Sequence, residues 1–299
     1  MDEPVTTPAG PSGEALLSVV DLRYTAGRRE ILRGASFEVR RGETYLILAS
    51  SGAGKTTLLR LCTGMLHPDG GRVLFEGRNL SSYSPEALQA LRMRLRFVFE
   101  EPVLLSNMNL MENIGFPLFY HTRLDPPAIR ERVREEMARL KILDCANESP
   151  ASVDRSVRRR AHIAMALMLK PDLLVVDSPL AGFDPDIAAM VVKRLQRLRE
   201  EHGTTILMAS HTMEMLSHIA DSVGILEEGR IIKSGTLGTI MEMLRSADDS
   251  RLGMWSREGL RFESPKASRA EGAAGPAPCA GEETGHVSGG AGNPDPSLP

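Results

Sequence analysis

The 299 residues are 42% hydrophobic and 25% charged with a formal net charge of -3. That composition can bury a large core, and it gives the chain as a whole no electrostatic reason to bind nucleic acid. No apolar run approaches the about 18 residues that span a bilayer, and the acidic, proline-broken opening "MDEPVTTPAGPSGEALL" lacks the basic and apolar regions of a secretory signal, so direct membrane insertion is not expected.

Residues 1–14 are rich in Pro, Gly and Thr and read as a disordered arm. The first strand-like run that matters chemically is "ETYLILA" (43–49), nearly continuous in apolar residues, as expected of a strand covered on both faces. It leads into "ASSGAGKTTLL" (49–59), which opens a helix. That strand-to-helix context gives the pattern G-x-x-x-x-G-K-[ST] its meaning as a phosphate-binding loop, or P-loop. Backbone N–H groups of Ser51, Gly52, Ala53, Gly54, Lys55 and Thr56 can wrap phosphates at the helix N-terminus, with Ser50 and Thr57 as the flanking nucleotide-binding positions. The Lys55 ammonium reaches the β and γ phosphates, and the Thr56 hydroxyl can hold Mg²⁺. The pattern's first glycine is Ala49 here; if that position needs a positive φ, alanine costs about 1 kcal/mol and loosens the loop without abolishing it.

Further on, "RLRFVF" (94–99) is a second strand, after which helical patterns such as "PPAIRERVREEMARLKIL" dominate residues 104–169. This region reads as a helical subdomain inserted between two core strands. "DLLVVD" (172–177) is a strand that ends on Asp177, the way many phosphate-handling proteins carry a magnesium ligand to a sheet edge. An amphipathic helix over 187–201, a strand "TTILMAS" (204–210) and a hairpin "VGILEEGRIIKSG" (223–235) follow. The alternation predicts an α/β fold with a mostly parallel core sheet. "SADDSRLGMWSREGLRF" keeps a few apolar anchors in a C-terminal extension (249–264), and the Gly, Ala and Pro of 265–299 read as a disordered tail. Cys62, Cys145 and Cys279 have no metal-ligand spacing and an odd count, so a reduced, cytosolic chain is the expectation.

Over about residues 16–245 these pieces resemble, in order and spacing, the nucleotide-binding subunit of an ATP-binding cassette (ABC) transporter. Besides the P-loop, "VVDLRY" places Tyr24 where that family stacks an aromatic on adenine. "LLVVD" matches the strand ending in the magnesium-associated aspartate, "AGFDP" (181–185) resembles the D-loop, and "ASHTMEML" carries the switch histidine at His211. The resemblance implies a P-loop NTPase cassette over 15–248, with an antiparallel β subdomain beside the parallel sheet. It also implies ATP and Mg²⁺ as cofactors, held at Tyr24, the P-loop and Asp177, with Thr56, Asp177 and Glu100 as metal ligands. The implied partners are an integral membrane permease and a second nucleotide-binding subunit, in a homo- or heterodimer on the inner face of the cell membrane. The stretch "LLSNMNLMENIGFPLFYHTRLDPPAIRERV" (104–133) most resembles the ATPases of the Mla and Mce lipid-trafficking systems.

Besides Ala49, the chain departs from the family pattern in three places. Where the family supplies a glutamate as base after the strand-ending aspartate, this chain has Ser178, whose hydroxyl cannot accept a proton at neutral pH. Losing general-base catalysis costs about 10²- to 10⁴-fold. The signature aligns with Val153, Asp154, Arg155 and Ser156, a poor phosphate clamp, and Glu100 in "FVFEEP" replaces a glutamine. A carboxylate at 100 can also ligate Mg²⁺, or can partly replace the missing acid. Arg158, Arg159 and Arg160 are usual on this helix in the family and are expected on a solvated or interface face, while His162 is expected to be an ordinary polar or packed residue. The expected function is ATP·Mg²⁺ binding at a dimer interface with weak or absent hydrolysis. A soluble regulatory or scaffold protein built on the cassette is the alternative, and a P-loop kinase or GTPase is disfavoured by the absence of an Asn-Lys-x-Asp motif.

Overall fold

The computed structural model describes residues 13–246. Most of the expected arm (1–12), the C-terminal extension with Leu252, Trp255, Leu260 and Phe262, and the tail 265–299 lie outside the described residues.

Gly27, at φ 62°, turns the chain between the long strands β1 (Ala15–Ala26) and β2 (Arg29–Arg40). The fully buried β3 (Thr44–Ala49) follows, then α1 (Lys55–Cys62), β4 (Gly70–Phe75), β5 (Arg78–Asn79), α2 (Pro85–Leu91) and β6 (Leu95–Val98). Three helices come next: α3 (Leu110–His121), α4 (Pro126–Arg139) and α5 (Arg155–Leu167). Then β7 (Leu173–Asp177), α6 (Pro185–His202), β8 (Thr205–Ser210), β9 (Ser222–Glu227), β10 (Arg230–Thr236) and α7 (Leu237–Ser246) complete the described chain.

The strands form two sheets. In the larger, the order is β10-β9-β3-β8-β7-β6, parallel from β9 through β6 with an antiparallel β10 at one edge. The smaller is antiparallel, in the order β2-β1-β4-β5. Because successive side chains of a strand point to opposite faces, β3 feeds two cores. Leu46 and Leu48 face the side packed by α3 to α6, while Tyr45, Ile47 and Ala49 face α1 and the antiparallel sheet. Helices on both faces are what a parallel sheet requires, and they explain why its strands read as continuous apolar runs.

Local chemistry sets the helix starts. Asn109 and Glu112 form a reciprocal capping box on α3, with side-chain to backbone distances of 2.8 and 2.9 Å. Asp125 and Asp184 cap α4 and α6, each followed by a proline at the first helical position. Within the helical segment between β6 and β7, the buried Glu136 of α4 reaches Arg194 of α6 through two bonds of 2.6 and 2.9 Å. Of the three thiols expected to be reduced, Cys62 is free and buried. Cys145 is buried, and Cys279 lies outside the described residues.

Candidate functional site

The C-terminal ends of β3, β7 and β8 converge where α1 begins, the edge of an open α/β sheet at which ligands bind. Between β3 and α1 the loop turns on Gly52 (φ 78°) and Gly54 (φ 99°), values that L side chains rarely adopt. At Gly54 space is short as well, since an added Cβ would lie 2.9 Å from Ile31 Cγ2. Gly54 caps α1 without a side-chain acceptor, and the first turn of α1 has no acidic residue. The first N–H groups of that helix therefore remain available to an anion, with the positive end of the helix dipole behind them.

Lys55 arches back over this loop, its Nζ donating to Ala49 O at 3.0 Å and Ser50 O at 2.9 Å. Burial lowers its pKa, opposed by the nearby Asp177 and Glu100 carboxylates. The cost anticipated for Ala49 does not arise. Ala49 ends β3 in strand conformation without a positive φ, and it is fully buried in the core.

Thr56 Oγ1 donates to Asp177 Oδ2 at 2.5 Å. Asp177 is 2% exposed. Burial raises its carboxyl pKa and Glu100 adds to the rise, against the lowering by the Thr56 hydrogen bond and by Lys55. A hydroxyl beside a buried carboxylate that lacks a full counter-charge is a hard-oxygen pair of the kind Mg²⁺ takes. Among the described residues no group of three or more His, Cys, Asp or Glu side chains is placed to hold a metal. An ion here would rely on few protein ligands, as Mg²⁺ commonly does beside phosphates.

Ser178 follows Asp177 with φ 49°, a left-handed conformation unusual for a residue with a side chain. Its Oγ lies 3.4 Å from Asp177 Oδ1 and donates to Glu100 Oε2 at 3.2 Å. The meeting of 100 and 178 follows from the sheet. Val98 of β6 pairs with Val176 of β7 in parallel register, so residues 100 and 178 each stand two positions past the same pair. Glu100, expected also as a metal ligand, bonds to Ser178 in this structure.

The helix α5 differs most from expectation. Asp154 does not stand free, because its carboxylate caps the helix by accepting from Val157 N at 2.8 Å. The exposed Arg155 pairs with Glu101. Arg159 and Arg160, expected on a solvated or interface face, are buried at 1% and 8% exposure. Arg159 donates to Glu100 O at 2.6 Å, to Asp177 O at 3.4 Å and to Ser178 O, with its guanidinium 5.6 Å over the Phe183 ring. Arg160 donates to Leu140 O and Lys141 O. The sequence signal for this burial is "AHIAMAL", which is apolar around the whole helix and not on one stripe. His162, expected to be an ordinary polar or packed residue, is buried and stacks on Phe99 at 6.1 Å between ring centroids.

Two other predicted residues sit at the rim. Tyr24 is half-buried on β1 opposite Leu32, and Leu32 Cδ2 lies 3.5 Å from where a Gly54 Cβ would be, so the β1–β2 hairpin flanks the phosphate loop. His211 is exposed one residue past β8, whose Ala209 O accepts from Ser178 N at 2.8 Å. Gly182 (φ 76°) turns the D-loop stretch into α6.

The family described as "ABC transporter" matches residues 32–181. The Escherichia coli K12 intermembrane phospholipid transport system ATP-binding protein MlaF is 34% identical over 221 residues, spanning 74% of this chain and 82% of that protein. The methionine import ATP-binding protein MetN of Rhizobium johnstonii is 32% identical over 232 residues, spanning 77% of this chain and 63% of MetN. Among solved structures, cbiO1 from Clostridium perfringens, part of the ABC transporter complex cbiONQ, superposes with a TM-score of 0.67 at 29% identity over 77% of this chain and 93% of its own. Sequence and fold agree over the same part of the chain, which belongs to the ATP-binding proteins of the ABC transporter family.

Proposed function

We propose that this chain is the cytosolic ATP-binding subunit of a lipid transporter of the Mla/Mce type, docked on the inner face of a membrane permease. It binds ATP·Mg²⁺ at an interface with a second nucleotide-binding subunit and hydrolyses it weakly at most. The observation that carries this is the contrast at one sheet edge. Lys55, Thr56 and Asp177 are assembled for a triphosphate, whereas the next residue, where a base would stand, is Ser178. Mg²⁺ would be held by Thr56 and Asp177 and would neutralise phosphate charge. Around it the α1 N-terminus and Lys55 bind and orient the phosphates, Tyr24 supplies a face for the base, and His211 stands at the rim as the switch residue. With Asp154 capping its own helix and Arg155 paired to Glu101, the signature end of α5 is a weak clamp for a phosphate bound to a partner subunit. Among the described residues no helix is long and apolar enough to cross a membrane, which suits docking on a permease. The lipid assignment is supported by MlaF among the relatives and by the stretch 104–133.

The test is to purify the chain with the membrane protein it brings along, then measure ATP affinity, steady-state hydrolysis and co-purifying phospholipid. Saturable binding that Lys55→Ala abolishes, with turnover about 10²-fold or more below an intact cassette, is expected. Absence of ATP binding, or brisk turnover, would overturn the reading. A permease that carries no phospholipid would remove the lipid assignment.

A further inference from the structure

We infer that Glu100 is the general base for whatever ATP cleavage this subunit retains, with Ser178 as the hydroxyl that aims it; the inference rests on the nucleotide-binding function proposed above. The carboxylate has been moved from the end of β7 to the end of its neighbour β6. Because Val98 and Val176 are register partners, position 100 projects from the same sheet edge as position 178, and the 3.2 Å bond from Ser178 Oγ to Glu100 Oε2 draws the acid to the place the serine occupies. Both ends of residue 100 are fixed. Its carbonyl accepts from Arg159 Nη1 at 2.6 Å and its side chain from Ser178, so the carboxylate is positioned before any substrate arrives. Ser178 engages one carboxylate oxygen, and Glu100 itself is exposed, which leaves Oε1 open to a water molecule. Thr56 and Asp177 are bonded to each other, while the bond of Glu100 is to Ser178. Of the two carboxylates near Lys55, Asp177 is buried and bonded to Thr56, whereas Glu100 is exposed and bonded to Ser178.

The step balances without any other reagent. A water O–H bond breaks and its proton passes to Glu100 Oε1, while the water oxygen forms a bond to the γ-phosphorus. The bond from that phosphorus to the β–γ bridging oxygen breaks, its electron pair stays on ADP, and nothing is oxidised or reduced. The protonated Glu100, being exposed, then returns its proton to solvent. Ser178 donates throughout and never takes the proton.

The experiment uses the full chain with ATP and Mg²⁺ under single-turnover conditions, reading the ATP to ADP ratio of the bound nucleotide, and separately ATP affinity across a Mg²⁺ titration. Glu100→Gln is expected to slow cleavage by about 10²-fold or more, leaving ATP as the bound species, with ATP affinity and its Mg²⁺ dependence unchanged. Ser178→Ala, which keeps the carboxylate and loses its aim, is expected to slow cleavage by a smaller factor. Unchanged cleavage in Glu100→Gln overturns the inference. So does a parallel loss of Mg²⁺-dependent ATP affinity, which would make Glu100 a metal ligand. Unchanged cleavage in Ser178→Ala overturns the positioning role. A wild-type chain that binds ATP without cleaving it defeats this inference alone, whereas one that binds no ATP defeats the proposed function as well.

Discussion

Replacing Glu136 by alanine should destabilise the chain far more than removing an ordinary surface charge. Glu136 on α4 and Arg194 on α6 are 2% and 7% exposed and meet through two parallel bonds of 2.6 and 2.9 Å. A second cation, Arg139, touches Glu136 Oε2 at 3.2 Å but is 46% exposed, so its share is small. Truncating the carboxylate leaves the Arg194 guanidinium desolvated without its counter-charge, a loss of about 3–5 kcal/mol. If that stranded charge is the cause, Glu136→Leu combined with Arg194→Met should recover most of the loss, because an apolar pair of similar volume removes both desolvated ions. The assay is urea denaturation of the full chain for Glu136→Ala, and for Glu136→Leu, Arg194→Met, their double variant and the wild type, the last four closing a double-mutant cycle. A single-variant loss under about 1 kcal/mol, or a double variant no better than the singles, would refute the reasoning and show that water reaches the pair.

Two further tests concern α5. Arg159→Met keeps the apolar stem but strands the carbonyls of Glu100, Asp177 and Ser178, partly offset by relief of the buried charge. A loss of about 2–4 kcal/mol is expected, with Arg159→Lys failing to rescue because an ammonium lacks the planar fork; equilibrium unfolding by fluorescence decides it. His162 is buried with an unpartnered Nδ1, and burial, with Arg159 nearby, pushes its pKa down to about 4 from 6.5. The folded protein thus disfavours the proton that the unfolded chain accepts. Stability from this group is full above about pH 6.5 and falls as pH drops towards about 4, by an amount on the order of 3 kcal/mol. His162→Phe should flatten that part of a stability-against-pH curve, and an unchanged slope would remove His162 as its source.

Much of the nucleotide side was legible in the sequence because it is local. Strand, glycine turn, Lys55, Thr56 and helix lie within one short stretch, and the alternation of apolar runs announced the parallel sheet whose edge carries them. The apolar runs 43–49, 94–99, 172–177 and 204–210 became β3, β6, β7 and β8 with ends displaced by a residue or so. What stayed hidden depends on contacts between distant positions. The bond between Ser178 and Glu100 spans 78 positions and follows from strand register, which composition does not reveal. Arg159 reads as solvated from its charge, whereas its burial is set by the apolar surroundings of its helix. Asp154 read only as part of a poor phosphate clamp, because its capping bond is visible only once α5 has a defined start. Ala49 looked strained only under the assumption of a positive φ, which the strand ending does not impose.

The backbone of residue 178 is secured entirely by its neighbours. Ala209 takes its N–H, and both Arg159 and Ala181 donate to its carbonyl. None of these contacts consults the side chain. The position is thus a socket whose backbone is held independently of the group it carries, while the buried hydroxyl between Asp177 and Glu100 sets what that group can be. A substitution at 178 therefore changes what stands beside Asp177 while the hold of Arg159, Ala181 and Ala209 on the backbone does not depend on it.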